Sequence, residues 1–119
     1  MSSKIGLSAE LKERGPGLMF RVSNGERIYP GFIVRYDGIA LGYLNVCAHV
    51  GLRLNRHKNL FFSRDGNLLQ CMAHGAAYEP DSGLCARGPC EGLNLIRLNV
   101  IEEDESIYLQ DSEYDLVDD

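Results

Sequence analysis

The chain is poor in the residues that most catalytic chemistry needs. Its 119 residues include only three His and four Cys. No apolar run approaches the roughly 20 residues that a membrane-spanning helix requires. The first residues lack the basic, apolar and small-residue pattern of a secretory signal. Both absences point to a cytoplasmic protein without a membrane partner. No Gly-rich nucleotide loop follows a strand pattern, so the sequence has no means of taking hydride from a nicotinamide by itself. No repeat and no linker divides it, which predicts one domain over 1–119. A net charge of −5 argues against nucleic acid as the main partner. Positive charge is missing altogether from residues 101–119, which hold nine acidic groups. Residues 111–119 therefore read as a solvated, poorly ordered acidic tail; a docking segment for a basic partner is the alternative.

Short strand patterns separated by turn signals fill most of the remainder. Leu18–Val22 is followed by Ser23-Asn24-Gly25-Glu26 and then Arg27-Ile28-Tyr29. Phe32–Tyr36, Asp37-Gly38 and Ile39–Leu44 form the strongest hairpin signal, because Asp-Gly suits a two-residue turn whose central residues take positive φ. Leu60-Phe61-Phe62 and Asn67–Gln70 flank Asp65-Gly66 as another. Leu93–Val100 alternates apolar and polar, and Ser106–Gln110 is a last strand. Only Ser8–Arg14 reads as helix, a turn or two ended by Gly15-Pro16-Gly17. The fold class is all-β and antiparallel.

Two short pairs concentrate the chain's soft ligands. They are Cys47-Ala48-His49 and Cys71-Met72-Ala73-His74, the second running into Gly75-Ala76-Ala77-Tyr78 and Gly83. Further on stands Gly88-Pro89. This arrangement resembles the Rieske iron–sulfur family, in which C-x-H and C-x-x-H-G loops hold a [2Fe–2S] cluster with two Cys on one iron and two His on the other. A Cys and a His two or three residues apart on a tight loop reach two irons a few ångströms apart. Two such loops clamp the group from opposite sides. The bland rival is zinc, which also takes Cys₂His₂ sets. Common zinc fingers keep their two Cys together and their two His together, whereas each pair here is mixed.

The resemblance implies a small antiparallel β-barrel or sandwich with a cluster-binding subdomain, about residues 46–91, inserted at one tip. It implies one [2Fe–2S] cluster per chain, ligated by Cys47, His49, Cys71 and His74. Ala76, Tyr78, Gly88 and Pro89 would lie around it. The gap of 21 residues between His49 and Cys71 is longer than is common in the family, and the basic segment Arg53, Arg56, His57, Lys58 falls within it. His57 reads as a solvated loop residue. Leu52 and Met72-Ala73 stand where respiratory members carry extra Cys, so no disulfide joins the two loops. Cys85 and Cys90 read as free thiols beside the Gly-Pro loop, with a regulatory dithiol as the other reading.

In function the resemblance implies an electron-transfer protein rather than an enzyme. The chain would be a free-standing ferredoxin, with a reductase as donor and an oxygenase or other protein as terminal acceptor, and no small-molecule substrate of its own. The alternatives are a small subunit of a reductase such as nitrite reductase, a redox sensor, and a structural zinc module.

Overall fold

In the computed structural model the described residues are 3–46, 54, 60–71, 75–88 and 92–117. Eleven strands and one turn of 3₁₀ helix make up their regular structure. A three-stranded sheet has the order β1 (Lys4–Leu7), β10 (Ser106–Leu109), β9 (Val100–Glu103). A five-stranded sheet has the order β11 (Asp115–Leu116), β2 (Leu18–Ser23), β3 (Ile28–Tyr36), β4 (Ile39–Leu44), β8 (Arg97–Leu98). Every ladder in both is antiparallel. The chain passes from one sheet to the other between β8 and β9. There the Asp111 carboxylate accepts the Asn99 N–H at 2.9 Å and the Gln110 N–H reaches the Asn99 carbonyl at 2.8 Å.

These two sheets close over an apolar interior. Val22, Leu44, Leu98 and Leu109 are buried together, and Leu11, Ile33 and Ile107 form an adjoining group. The third sheet, β5 (Leu69–Gln70), β6 (Ala77–Tyr78), β7 (Cys85–Arg87), is antiparallel as well and belongs to the segment between β4 and β8. This is the expected barrel or sandwich with an insertion. Phe61, Leu69, Cys71 and Tyr78 from the insertion are fully buried against Phe32 and Tyr43. The rings of Phe32 and Phe61 stack at 4.0 Å with 6° between their planes, so the insertion is seated along β3. At the far end Arg14 donates to Asn67 at 2.8 Å and to Asp37 at 3.3 Å, holding the hairpin turn against the β3–β4 turn.

The Asp37-Gly38 hairpin is present, with φ of 52° and 79° and Tyr36 opposite Ile39. The hairpin around Asp65-Gly66 is present too: Phe62 bridges Leu69, and the Ser63 N–H reaches the Leu68 carbonyl at 2.7 Å. Arg27–Tyr29 and Phe32–Tyr36, expected as separate strands, give way to one strand, Ile28–Tyr36, that runs through Pro30-Gly31 and leaves Arg27 outside.

Two expectations are corrected. The helix over Ser8–Arg14 reduces to the 3₁₀ turn Ser8–Glu10. The carbonyls that a longer helix would use inside itself go instead to Arg35, whose guanidinium donates to Leu11 at 2.8 Å and Ser8 at 3.3 Å. The acidic tail is also not merely solvated. Asp115–Leu116 pairs with Val22 and Ser23 of β2, and Tyr114 meets Tyr29 edge to face at 6.1 Å. Glu113 and Asp115 are exposed, while Tyr114 and Leu116 cover the apolar group around Val22.

Candidate metal centre

The two segments that carry the Cys–His pairs leave the fold from neighbouring, closed bases. The first departs from the end of β4. Asn45 is 1 % exposed; its N–H donates to the Pro30 carbonyl at 2.7 Å, and its side-chain oxygen accepts the Leu54 N–H at 2.9 Å. Residues 46–53, with Cys47 and His49, therefore lie between two residues tied to each other. The second segment is closed by backbone alone. The Cys71 N–H donates to the Ala76 carbonyl at 2.7 Å, and the Gly75 N–H donates to the Cys71 carbonyl at 3.0 Å. His74 belongs to the span between them. Gly75 holds φ of 75°, a left-handed conformation that glycine adopts without the Cβ clash other residues meet.

Leu54, Cys71, Ala76 and Tyr78 are all fully buried in one apolar group, which brings the two bases together. Gly88 packs on Gly75 and Ala76 so closely that a Cβ there would sit 2.9 Å from the Ala76 Cα. Of the residues singled out in the sequence, Cys71, Ala76, Tyr78 and Gly88 lie together. Cys47, His49, His74 and Pro89 fall outside the described residues, as do His57 and the basic segment around it. Among the described residues no group of three or more His, Cys, Asp or Glu gathers.

One corner of the support is polar. The Tyr43 hydroxyl donates to the Pro80 carbonyl at 2.6 Å, pinning the β6–β7 turn onto β4. Burial pushes the Tyr43 phenol up to about 12, so it is a neutral donor at any physiological pH. Gly83 lets the turn approach, since a Cβ there would lie 2.9 Å from the Tyr43 ring.

Two features escaped the sequence reading. Asn45 was not singled out; its signal is an amide directly after the apolar run of β4. Cys85 was expected as a free thiol and is disulfide-bonded, with its partner outside the described residues. The expectation came from compartment chemistry, whereas the pairing depends on where the backbone brings two sulfurs.

The arrangement of a buried Cys71 on a closed loop, flanked by Gly75 and capped by Gly88, is matched by sequence. The Rieske [2Fe-2S] domain family model matches residues 3–101. The chain belongs to that family. Rieske domains bind one [2Fe–2S] cluster, which supplies one-electron chemistry. The residues of this Rieske chain fit the group. The donors in sequence are two thiols and two imidazoles, the described thiol is buried, and the Gly88 backbone lies against the loop where a side chain would intrude.

Solved structures place the fold in the same company. A ferredoxin from Sphingomonas yanoikuyae B1 superposes with a TM-score of 0.67 at 20% identity, covering 92% of this chain and 98% of that one. The ferredoxin of carbazole 1,9a-dioxygenase from Nocardioides aromaticivorans IC177 gives 0.68 at 17% identity, covering 94% and 99%. The terminal oxygenase of the same dioxygenase gives 0.73 at 18% identity, covering 92% of this chain and 30% of that one. No curated protein matches the chain.

Proposed function

We propose that this Rieske chain is a one-electron carrier, taking electrons from a reductase and delivering them to an oxygenase or another protein acceptor. The observation that supports this most is the fold, which coincides with nearly the whole of two solved ferredoxins. One solved structure holds a ferredoxin in complex with the oxygenase of carbazole 1,9a-dioxygenase; an acceptor of that kind suits the reading here.

In this reading residues 1–119 act as one unit in the cytoplasm, with the cluster subdomain over about 46–91. Cys47 and Cys71 bind one iron, and His49 and His74 the other. Neutral imidazoles in place of two thiolates leave the cluster two charge units less negative than a four-Cys cluster. That favours the reduced state.

The test is composition and stoichiometry. Anaerobically purified protein should hold about two irons and two acid-labile sulfides per chain. Dithionite titration followed by paramagnetic resonance should show uptake of a single electron. Folded protein that binds one zinc and no iron under iron-sufficient expression overturns the reading.

A further inference from the structure

We propose that the disulfide at Cys85 is a redox-controlled clamp on the metal centre, closed by Cys90 and opened by a dithiol. This rests on the carrier reading, which assigns Cys47 to the cluster, and goes beyond it to the regulation of that site. The chain has four Cys; Cys71 is a free thiol and Cys85 is disulfide-bonded. With Cys47 kept as a ligand, Cys90 is the remaining sulfur. It lies outside the described residues, so its assignment comes from that count and from the setting of Cys85.

Cys85 opens β7 opposite Tyr78 and is half-buried against the apolar group that holds Cys71 and Ala76. Its sulfur lies 3.6 Å from the Arg87 carbonyl oxygen, on the side of the turn that follows β7. The Cys85 N–H donates to the Leu93 carbonyl at 3.1 Å, and Leu84 bridges Asn94. Residues 86–92 are thereby closed into a loop at their base, and Cys90 belongs to that loop in sequence. Ala86, Arg87 and Gly88 are exposed, which gives the bond a solvent side.

Gly88 gives the bond its consequence. It stands between Cys85 and Cys90 in sequence, and its backbone rests on Gly75 and Ala76. Contact that close requires glycine, and glycine has the most conformational freedom to lose. A cross-link from 85 to 90 removes much of that freedom before the contact forms. Reduction returns it, and the hold of Gly88 on the turn between Cys71 and Ala76 weakens. In a reducing cytoplasm such bonds are transient and follow the redox state.

The reductant is a dithiol. One of its thiolates attacks a sulfur of the bond, the S–S bond breaks, and a mixed disulfide forms. The second thiolate displaces it. Two electrons and two protons pass to the protein, which gains two thiols, and the dithiol becomes a disulfide.

The test compares as-purified protein before and after dithiothreitol with a Cys85→Ser/Cys90→Ser double variant. Peptide mapping of alkylated protein should show Cys85 joined to Cys90. Hydrogen exchange read by mass spectrometry does not depend on the metal. In wild type, reduction should speed exchange of a peptide spanning 71–76 about tenfold and leave β4 unchanged. The double variant should exchange at the faster rate with or without dithiothreitol. Release of iron to a chelator should follow the same pattern, and the double variant subtracts any direct attack of dithiothreitol on the metal. Protein that holds no iron overturns the carrier reading, and the mapping and exchange arms then decide the clamp. A bond from Cys85 to Cys47, four alkylatable thiols in unreduced, metal-stripped protein, or a 71–76 peptide whose exchange ignores reduction overturns the clamp. Iron and labile sulfide at the expected level leave the carrier reading intact in each of those cases.

Discussion

Gly88 rests directly on the turn after the second Cys–His pair: a Cβ at 88 would stand 2.9 Å from the Ala76 Cα, 3.0 Å from the Gly75 carbonyl oxygen and 3.2 Å from the Ala76 N. Backbone cannot yield as the end of a flexible side chain does. Gly88 also has φ of 89°. Gly88→Ala should therefore cost about 1–3 kcal/mol and loosen the metal centre. Thermal unfolding and the rate of iron release to a chelator measure it. A variant as stable and as retentive as wild type would show that Gly88 does not bear on the loop.

Ala76 and Tyr78 are both fully buried beside Cys71. By resemblance to high-potential respiratory Rieske proteins, a Ser at the first position and a Tyr at the second donate hydrogen bonds that favour the reduced cluster. Ala76 has no such donor. The midpoint potential should lie in the low part of the Rieske range, which runs from roughly −150 to +300 mV. Ala76→Ser should raise it and Tyr78→Phe should lower it, as read by protein-film voltammetry. A wild-type potential near the upper end would contradict both the assignment and a role in accepting from a flavin reductase.

Glu102 receives two bonds from Arg35, at 2.7 and 3.0 Å. They hold the Glu102 carboxyl below its ordinary value of 4.5. A carboxyl with a depressed native pKa stabilises the fold above its unfolded pKa, and that contribution fades as pH falls through the native value. In urea unfolding, wild type should lose stability below about pH 4.5 faster than Glu102→Gln. At pH 7 the variant should be less stable by about 1 kcal/mol. Parallel curves across the acid range would remove Glu102 from the pH response.

The β9–β10 turn forces Asp104 and Glu105 to φ of 50° and 63°. Only the first is a residue type that tolerates this region. Asp104→Asn with Glu105→Gly installs the Asn-Gly pair that such a turn favours. It should raise stability by about 0.5–1 kcal/mol, visible in the urea midpoint, without moving the redox potential.

The disulfide at Cys85 predicts a thiol count. The chain has four Cys. Alkylation of metal-stripped, denatured protein should modify two of them before treatment with dithiothreitol and four after it. Cys85→Ser should expose one more thiol before reduction. Four modified thiols at the outset would show that no such bond forms.

The sequence was most legible where a local rule has a single outcome. Asp37-Gly38 needs positive φ twice and flanks alternating apolar residues, so its hairpin could be read directly. The mixed Cys–His pairs could be read because few chemistries use them. Residues 8–14 misled because helix propensity is a weak preference, and Arg35, 24 residues beyond Leu11, takes the carbonyls. The tail misled because charge was weighed over its two apolar positions, Tyr114 and Leu116. Asn45 was silent because its partner, the Leu54 N–H, is set by the path of a loop rather than by any pattern around residue 45.

That bond between Asn45 and Leu54 also governs when chain entropy is lost. Joining the two ends of the eight-residue segment 46–53 costs about 2 kcal/mol. Here the barrel's own folding meets that cost, through one buried amide. On the proposed ligand set, cluster assembly at Cys47 and His49 would act on a segment whose ends are already fixed, so that the free energy of ligation goes into holding metal rather than into gathering distant ends.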